Sequence, residues 1–269
     1  MKSGTTTLEG VLARLPGVAI TAEKESSNFL SKSTSVRAAI QIRESCAAAA
    51  GEVSTAYMQR PAHEVDIKDV RNLLGREVRL IGVLRDPVAR ALSHWRHWEQ
   101  LGRNPTGRIE DLLPDPHYRY VQFSRYLYQL TPWLEHFEPS EMLLLRLEDY
   151  AVDPAAWHGA VARHLGLPDA AAADLQPLHL NNASERVVSR GLGARVSQSP
   201  IYRSFRPFVP SSTRRLGART LGGKKGGAVP SALPPDARER FISAIAGDAR
   251  ELSSIWSHLS WPHLSGNPQ

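Results

Sequence analysis

Two short clusters in this 269-residue chain have residue types and spacing suited to holding phosphate. The first is Lys2-Ser3-Gly4-Thr5-Thr6-Thr7. Glycine lets backbone N–H groups approach an oxyanion closely, threonines offer hydroxyls, and lysine adds a point charge. Free N–H groups at a strand-to-helix junction point at a bound anion in the same way. The order differs from the ATP-binding G-x-x-x-x-G-K-[ST] loop, because the lysine precedes the glycine. Taken alone, the cluster also fits simple Ser/Thr capping of a first helix. The second cluster is Arg85-Asp86-Pro87-Val88-Ala89-Arg90, followed by Ser93. An arginine at a strand's carboxyl end and a serine in the next helix can converge on one phosphate, at the edge where open α/β sheets bind ligands. Taken alone, Arg85 could equally be a loop arginine paired with Asp86.

The elements that position these clusters follow from the pattern of apolar residues. Leu8, Val11, Leu12 and Leu15 recur at helical spacing over 7–15, before Pro16-Gly17. A short strand is expected at GVAIT, a helix over 34–50, a strand and turn at Gly51-Glu52-Val53-Ser54-Thr55, and a helix over 65–74 ending at Gly75. Residues 77–84 and 142–147 read as buried parallel strands. Helices are expected after Asp86-Pro87, over 118–137, over 157–165 and over 236–259, with a disordered tail after Trp261. Strands alternating with helices predict an α/β fold with a parallel sheet covered on both faces, built as a single domain over residues 1–265.

The net charge of +6 is uneven. Ten of the 33 basic residues lie between Arg186 and Lys225 with no acid among them, leaving 23 basic against 27 acidic residues elsewhere. The positive field is local, which implies an anionic ligand near one segment. One cysteine excludes an internal disulfide, and no apolar run reaches membrane-span length. The chain reads as cytoplasmic, without membrane partners. Cys46 and Glu148-Asp149 read as packing and turn-capping residues. His94 and His97, beside Trp95 and Trp98, read as a packed helix face, and no metal site is expected.

Together the two clusters resemble the PAPS-dependent sulfotransferase family, in its carbohydrate-type and bacterial branch. KSGTTTL resembles the family's 5′-phosphosulfate loop, and LRDPVARALSHW its 3′-phosphate motif. Lys24-Glu25 with Asn28-Phe29 is similar to the KE..FF segment, and Gly51-Glu52-Val53-Ser54 with Tyr57 to GEKSP.Y. LLLRLEDYAVDP matches a strand and turn common in the family. The likeness covers roughly residues 2 to 165 well and the remainder loosely. It implies a P-loop-like three-layer sandwich that passes a sulfuryl group from PAPS to a hydroxyl or amine of a carbohydrate or small-molecule acceptor, without metal. By the same resemblance, Lys2, Ser3, Gly4, Thr5, Thr6 and Thr7 would hold the phosphosulfate, and Arg85 and Ser93 the 3′-phosphate. Lys2 would stabilise the leaving phosphate and Glu25 would be the general base. Without the resemblance, Glu25 fits a surface ion pair with Lys24. Gly223-Lys224-Lys225-Gly226 resembles the late loop that closes over the nucleotide, which makes Lys224 and Lys225 donor ligands.

Val53 stands where the family often has lysine, and Leu30 where it has a second phenylalanine, so the acceptor pocket is expected to differ from that of the glycosaminoglycan enzymes. In the family the first loop follows a central apolar strand, and that strand is expected to be missing from the sequence as given. Two other readings remain at this level. One is a polyanion- or RNA-binding protein using the 186–225 segment, although no nucleic-acid partner is expected. The other is a nucleotide-dependent kinase.

Overall fold

The computed structural model describes residues 2–21, 26–101, 103–104, 108–113, 115–178 and 232–264. Lys24, Glu25, Lys224, Lys225 and the rest of the basic stretch lie outside the described residues. In chain order the elements are α1 (Thr5–Leu12), β1 (Val18–Ile20), α2 (Lys32–Arg43), β2 (Ala49–Gly51), α3 (Ile67–Leu74), β3 (Leu80–Leu84) and α4 (Pro87–Gln100). These are followed by α5 (Arg119–Gln122), α6 (Tyr126–Leu134), β4 (Met142–Arg146), α7 (Leu147–Val152), α8 (Pro154–His164), α9 (Ala170–Ala173) and α10 (Pro235–Ile255).

β1 pairs in parallel with β2, and β3 in parallel with β4. Successive strand residues point to opposite faces, and here that alternation divides two cores. Leu80, Leu84, Met142 and Leu144 belong to one core with α3, α4, α6 and α10. Ile81, Val83, Leu143 and Leu145 belong to the other with α1 and α8. Helices therefore cover both faces, as the alternation of elements predicts. Each fully buried aliphatic side chain in these layers stabilises the fold by about 1.5–3 kcal/mol. The helix starts are specified locally: Asp66, Asp86 and Asp153 each accept a backbone N–H in the first turn, and Pro87 and Pro154 follow two of them. α6 has no such cap of its own. Instead Asp248, on α10, accepts from Leu127 N (3.0 Å) and Tyr128 N (2.8 Å).

Several expectations are corrected. The helix predicted over 34–50 stops at Arg43, and Ala49–Gly51 form β2. Alanine favours helix, but parallel pairing with β1 overrides a weak propensity. Cys46 lies beyond the helix and is exposed, so it does not pack. The stretch 118–137 is broken between α5 and α6, where Ser124 is buried and bonds the Tyr120 carbonyl at 2.9 Å. The residues after Trp261 are not all tail: Pro262–Leu264 form a helical turn and Leu264 is buried.

Candidate active site

Arg85 is the first residue beyond β3, and Asp86-Pro87 turns the chain into α4. Asp86 is held from three sides. Its Oδ1 accepts from Ala89 N at 2.7 Å, its Oδ2 lies 2.9 Å from His263 Nε2, and its N–H donates to Glu148 Oε1 at 2.8 Å. The Asp86 carboxylate is therefore engaged by the helix start and His263, not by Arg85. Arg85 makes no ion pair among the described residues.

The Lys2 loop is shaped by backbone conformation. Lys2 and Gly4 have φ of 68° and 101°, and Gly4 precedes α1. A Cβ on Gly4 would lie 2.5 Å from Leu147 Cδ1, so both the left-handed φ and the close packing call for glycine. The residue at the N-cap position of α1 is Gly4, which has no side chain with which to cap the helix. Thr5, Thr6 and Thr7 form the helix's first turn. Its amide end and dipole face the loop, the arrangement that favours an anion.

One buried tyrosine joins the two clusters. Tyr126 OH donates to Arg85 O at 2.7 Å, lies 3.4 Å from Arg85 N as acceptor, and is hydrogen-bonded to the Ser3 side chain. A phenol has a single proton to donate, so the Ser3 hydroxyl is the donor to it. Burial pushes the Tyr126 hydroxyl up to about 12, with the nearby Arg90 charge opposing, so it remains protonated at neutral pH.

Beneath this junction lies Arg90, fully buried. Its Nε donates to Ser124 Oγ at 2.7 Å, and its two other nitrogens donate to Tyr120 O and to His94 Nδ1. Burial, with a smaller push from Arg85, lowers Arg90 to about 10, which leaves it cationic. Burial and then the charge of Arg85 lower Arg96 as well. Three guanidinium groups thus share one field around the exit of β3, a positive potential suited to an anion. Ser93 is buried on the same helix. Because a guanidinium only donates, His94 Nδ1 is an acceptor and its proton sits on Nε2. The ring stacks on Phe123 with centroids 5.7 Å apart. Burial first, and then the Arg90 charge, hold its pKa far below the usual histidine range.

At the exit of β2, Glu52 Oε2 accepts from Asn28 Nδ2 (2.7 Å) and Ser26 Oγ (3.2 Å). Ser27 and Ser54 hydroxyls lie 2.7 Å apart, and Phe29 N donates to Tyr57 OH at 3.2 Å. The turn that follows Glu25 is therefore stitched to the GEVS segment, although Glu25 itself lies outside the described residues. Burial raises the Glu52 pKa above its ordinary value.

The structure brings together Ser3 and Arg85, through a residue that sequence reasoning left in an ordinary helix. Tyr126, Glu148 and His263 reach the site from distant parts of the chain and carry no local signal. Arg90 lies inside the second cluster, and its lack of a neighbouring acid apart from Asp86 was the available clue.

A sequence profile of the sulfotransferase domain matches residues 1–191. The chain belongs to the sulfotransferase family. Curated relatives include the mouse (Mus musculus) heparan sulfate glucosamine 3-O-sulfotransferase 3B1, 33% identical over 103 residues, which covers 35% of this chain and 26% of the relative. The human (Homo sapiens) 3A1 enzyme of the same description matches at 33% over 103 residues, covering 35% of this chain and 25% of that one. The chain thus matches about a quarter of the length of these sulfotransferases. Among solved structures, a sulfotransferase from Alicyclobacillus acidocaldarius superposes with a TM-score of 0.62 at 17% identity, covering 98% of this chain and 94% of that one. Mouse sulfotransferase SULT7A1 complexed with PAP superposes with a TM-score of 0.53 at 15% identity, covering 96% and 84%. These likenesses establish the shared sulfotransferase fold.

Proposed function

We propose that this sulfotransferase moves a sulfuryl group from PAPS to a hydroxyl or amine of a carbohydrate or small-molecule acceptor and releases adenosine 3′,5′-bisphosphate (PAP). The observation that carries the reading is the Ser3–Tyr126–Arg85 bridge, which sets two phosphate-type loops side by side. The neighbouring fold containing PAP and the carbohydrate acceptors named in the curated relatives support the same donor and acceptor classes. The start of α1 at Gly4 and the arginine field fit an anion-rich nucleotide.

The donor supplies an activated sulfuryl group, and the chain's residues do the rest. Lys2 and the amides of Gly4, Thr5 and Thr6 neutralise charge on the departing phosphate, with Ser3 and Thr7 completing the loop. Arg85 and Ser93 hold the 3′-phosphate, Lys224 and Lys225 close over the nucleotide, and Glu25 accepts the acceptor's proton. No metal takes part. A single exposed cysteine fits a cytoplasmic setting.

The test has two parts. In a thermal-shift comparison, PAP at about 100 times its Kd should stabilise the protein by about 2.7 kcal/mol, with ATP and oligonucleotide inert. Labelled PAPS should then transfer to a member of a saccharide and small-molecule panel. Stabilisation by ATP or oligonucleotide instead of PAP would point to a kinase or a polyanion binder. Glu25→Gln should keep PAP affinity and lower turnover by about 10²–10⁴, and a loss below about tenfold would remove the base role.

A further inference from the structure

Beyond α10 the chain runs beside β4 towards the carboxyl end of that strand and is fastened to it. His258 Nε2 donates to Leu144 O at 2.9 Å, Arg146 donates to Ser260 O at 3.1 Å, and the Arg146 guanidinium lies 5.9 Å from the Trp261 ring. Leu259, Trp261 and Leu264 are buried, and Trp261 packs on Tyr126 with ring centroids 5.9 Å apart. This strap delivers His263, in the Pro262–Leu264 turn, to Asp86. It lies beyond the residues that the domain profile matches.

A carboxylate one residue away is a ready partner for the Arg85 guanidinium. Arg85 sits among like charges, since it depresses the pKa of both Arg90 and Arg96, so a free acid beside it would be drawn into a pair. Both oxygens of Asp86 are nevertheless taken, Oδ1 by Ala89 N at 2.7 Å and Oδ2 by His263 Nε2 at 2.9 Å. A ring nitrogen this close to a carboxylate oxygen carries its proton, and among the described residues it makes no hydrogen bond to any other group. The other acid at the junction, Glu148, turns its Oε1 to the Asp86 N–H at 2.8 Å, and its Oε2 is buried. Arg85 is left without an ion pair among the described residues.

We propose that His263 is a positioning residue of the donor site: by occupying Asp86 Oδ2 it keeps that carboxylate from Arg85, and so keeps the Arg85 guanidinium for the 3′-phosphate. The role rests on the donor reading above. The loop does not need His263 for its shape, because Ala89, Glu148 and Tyr126 still hold Asp86 and Arg85. His263 governs instead the charge that Arg85 meets. The side chains of His263 and Asp86 are 30% and 20% exposed, so the effect is that of a solvent-screened pair.

The test uses the full chain and three variants, His263→Ala, His263→Gln and His263→Ala with Asp86→Asn. His263→Ala should weaken PAP by about three- to fivefold in calorimetry, the scale of a partly exposed ion pair, with little change in thermal midpoint. Adding Asp86→Asn should restore the affinity, because the amide oxygen still caps Ala89 N while the competing charge is gone. His263→Gln, which keeps an N–H for Oδ2, should stay near the parent chain. Without nucleotide, the rate at which phenylglyoxal modifies Arg85, followed by peptide mass spectrometry, should fall in His263→Ala and recover in the double variant. Equal PAP weakening with and without Asp86→Asn would make His263 merely structural and overturn the proposal, as would unchanged Arg85 modification in His263→Ala. A parent chain that binds no PAP would remove the donor reading, and the phenylglyoxal series would still show whether His263 keeps Asp86 from Arg85.

Discussion

The Arg85 loop and the Lys2 loop look equally plain as anion-binding sequences, yet the fold treats them differently. The Arg85 loop is fixed by the helix cap of Asp86 on Ala89, by Glu148, by His263 and by Tyr126, which come from four parts of the chain. The Lys2 loop depends on backbone shape: the positive φ of Gly4, its packing on Leu147, and the Ser3 bond to Tyr126. One loop is rigid through side-chain redundancy, the other through a residue that has no side chain. A loop of the first kind tolerates the loss of any single tether, while a loop of the second kind is sensitive to one added methyl group.

The sharpest way to break this contrast is to remove the charge from each loop. Lys2→Ala should reduce kcat by about 10²–10³, the loss typical of one preorganised donor to developing charge, while PAP affinity changes less. Arg85→Ala should weaken PAP chiefly, by about 1.5–3 kcal/mol for a charge-assisted contact. Calorimetry for PAP and single-turnover rates would separate the two, and unchanged binding and rates in both variants would sink the functional reading.

Next in size is Gly4→Ala. A non-glycine residue in the left-handed region, with its Cβ driven against Leu147, should destabilise the protein by about 1–3 kcal/mol. Leu147→Ala in the same chain should recover the steric part but not the backbone part. If the double variant is no better than the sum of the singles, the Leu147 contact does not explain the glycine.

Acid exposes the buried side of the Arg85 loop. The native state holds His94 neutral, while the unfolded chain takes up a proton near the ordinary histidine pKa of about 6.5. The unfolded state then binds the extra proton, so stability falls as pH drops below that value, by about 1.4 kcal/mol per pH unit for one such group. His158 and His164 are lowered by burial and act in the same direction. Urea unfolding across the range from about pH 7 to 5 should show His94→Asn with a slope shallower by about one group. An unchanged slope would mean that His94 titrates normally.

The smallest effect is expected at the bridge. Tyr126→Phe keeps the ring in its core but removes the hydroxyl shared by Ser3 and Arg85, a change of about 0.5–1.5 kcal/mol. In a double-mutant cycle with Ser3→Ala the losses should be less than additive, because both changes delete the same bond. Full additivity would separate the loops energetically.

Much of the fold was legible because its signals are local. The Asp-Pro start of α4, the apolar runs of β3 and β4, and the stop at Gly75 depend on neighbours in the chain, whereas α8 begins at Pro154, three residues ahead of the expected start. β2 was misplaced by two residues, since four alanines favour a helix unless a partner strand is present, and α7 was missed because six residues carry too few periodic positions to register. The basic stretch and Glu25 remain outside the described residues, so their parts in the site rest on the sequence alone.

The sequence by itself determined the chemistry available: a lysine and a glycine before threonines, and an arginine and a serine around Asp-Pro. These choices act through backbone freedom, formal charge and helix starts, each a property of a few consecutive residues. Only the tertiary structure decided that Tyr126 would join Ser3 to Arg85, that Arg90 would be buried with Ser124 and His94 as partners, and that His263 would meet Asp86. Each of these pairs residues far apart along the chain. Such contacts depend on how the layers close around the two cores, and no short stretch of sequence carries that information.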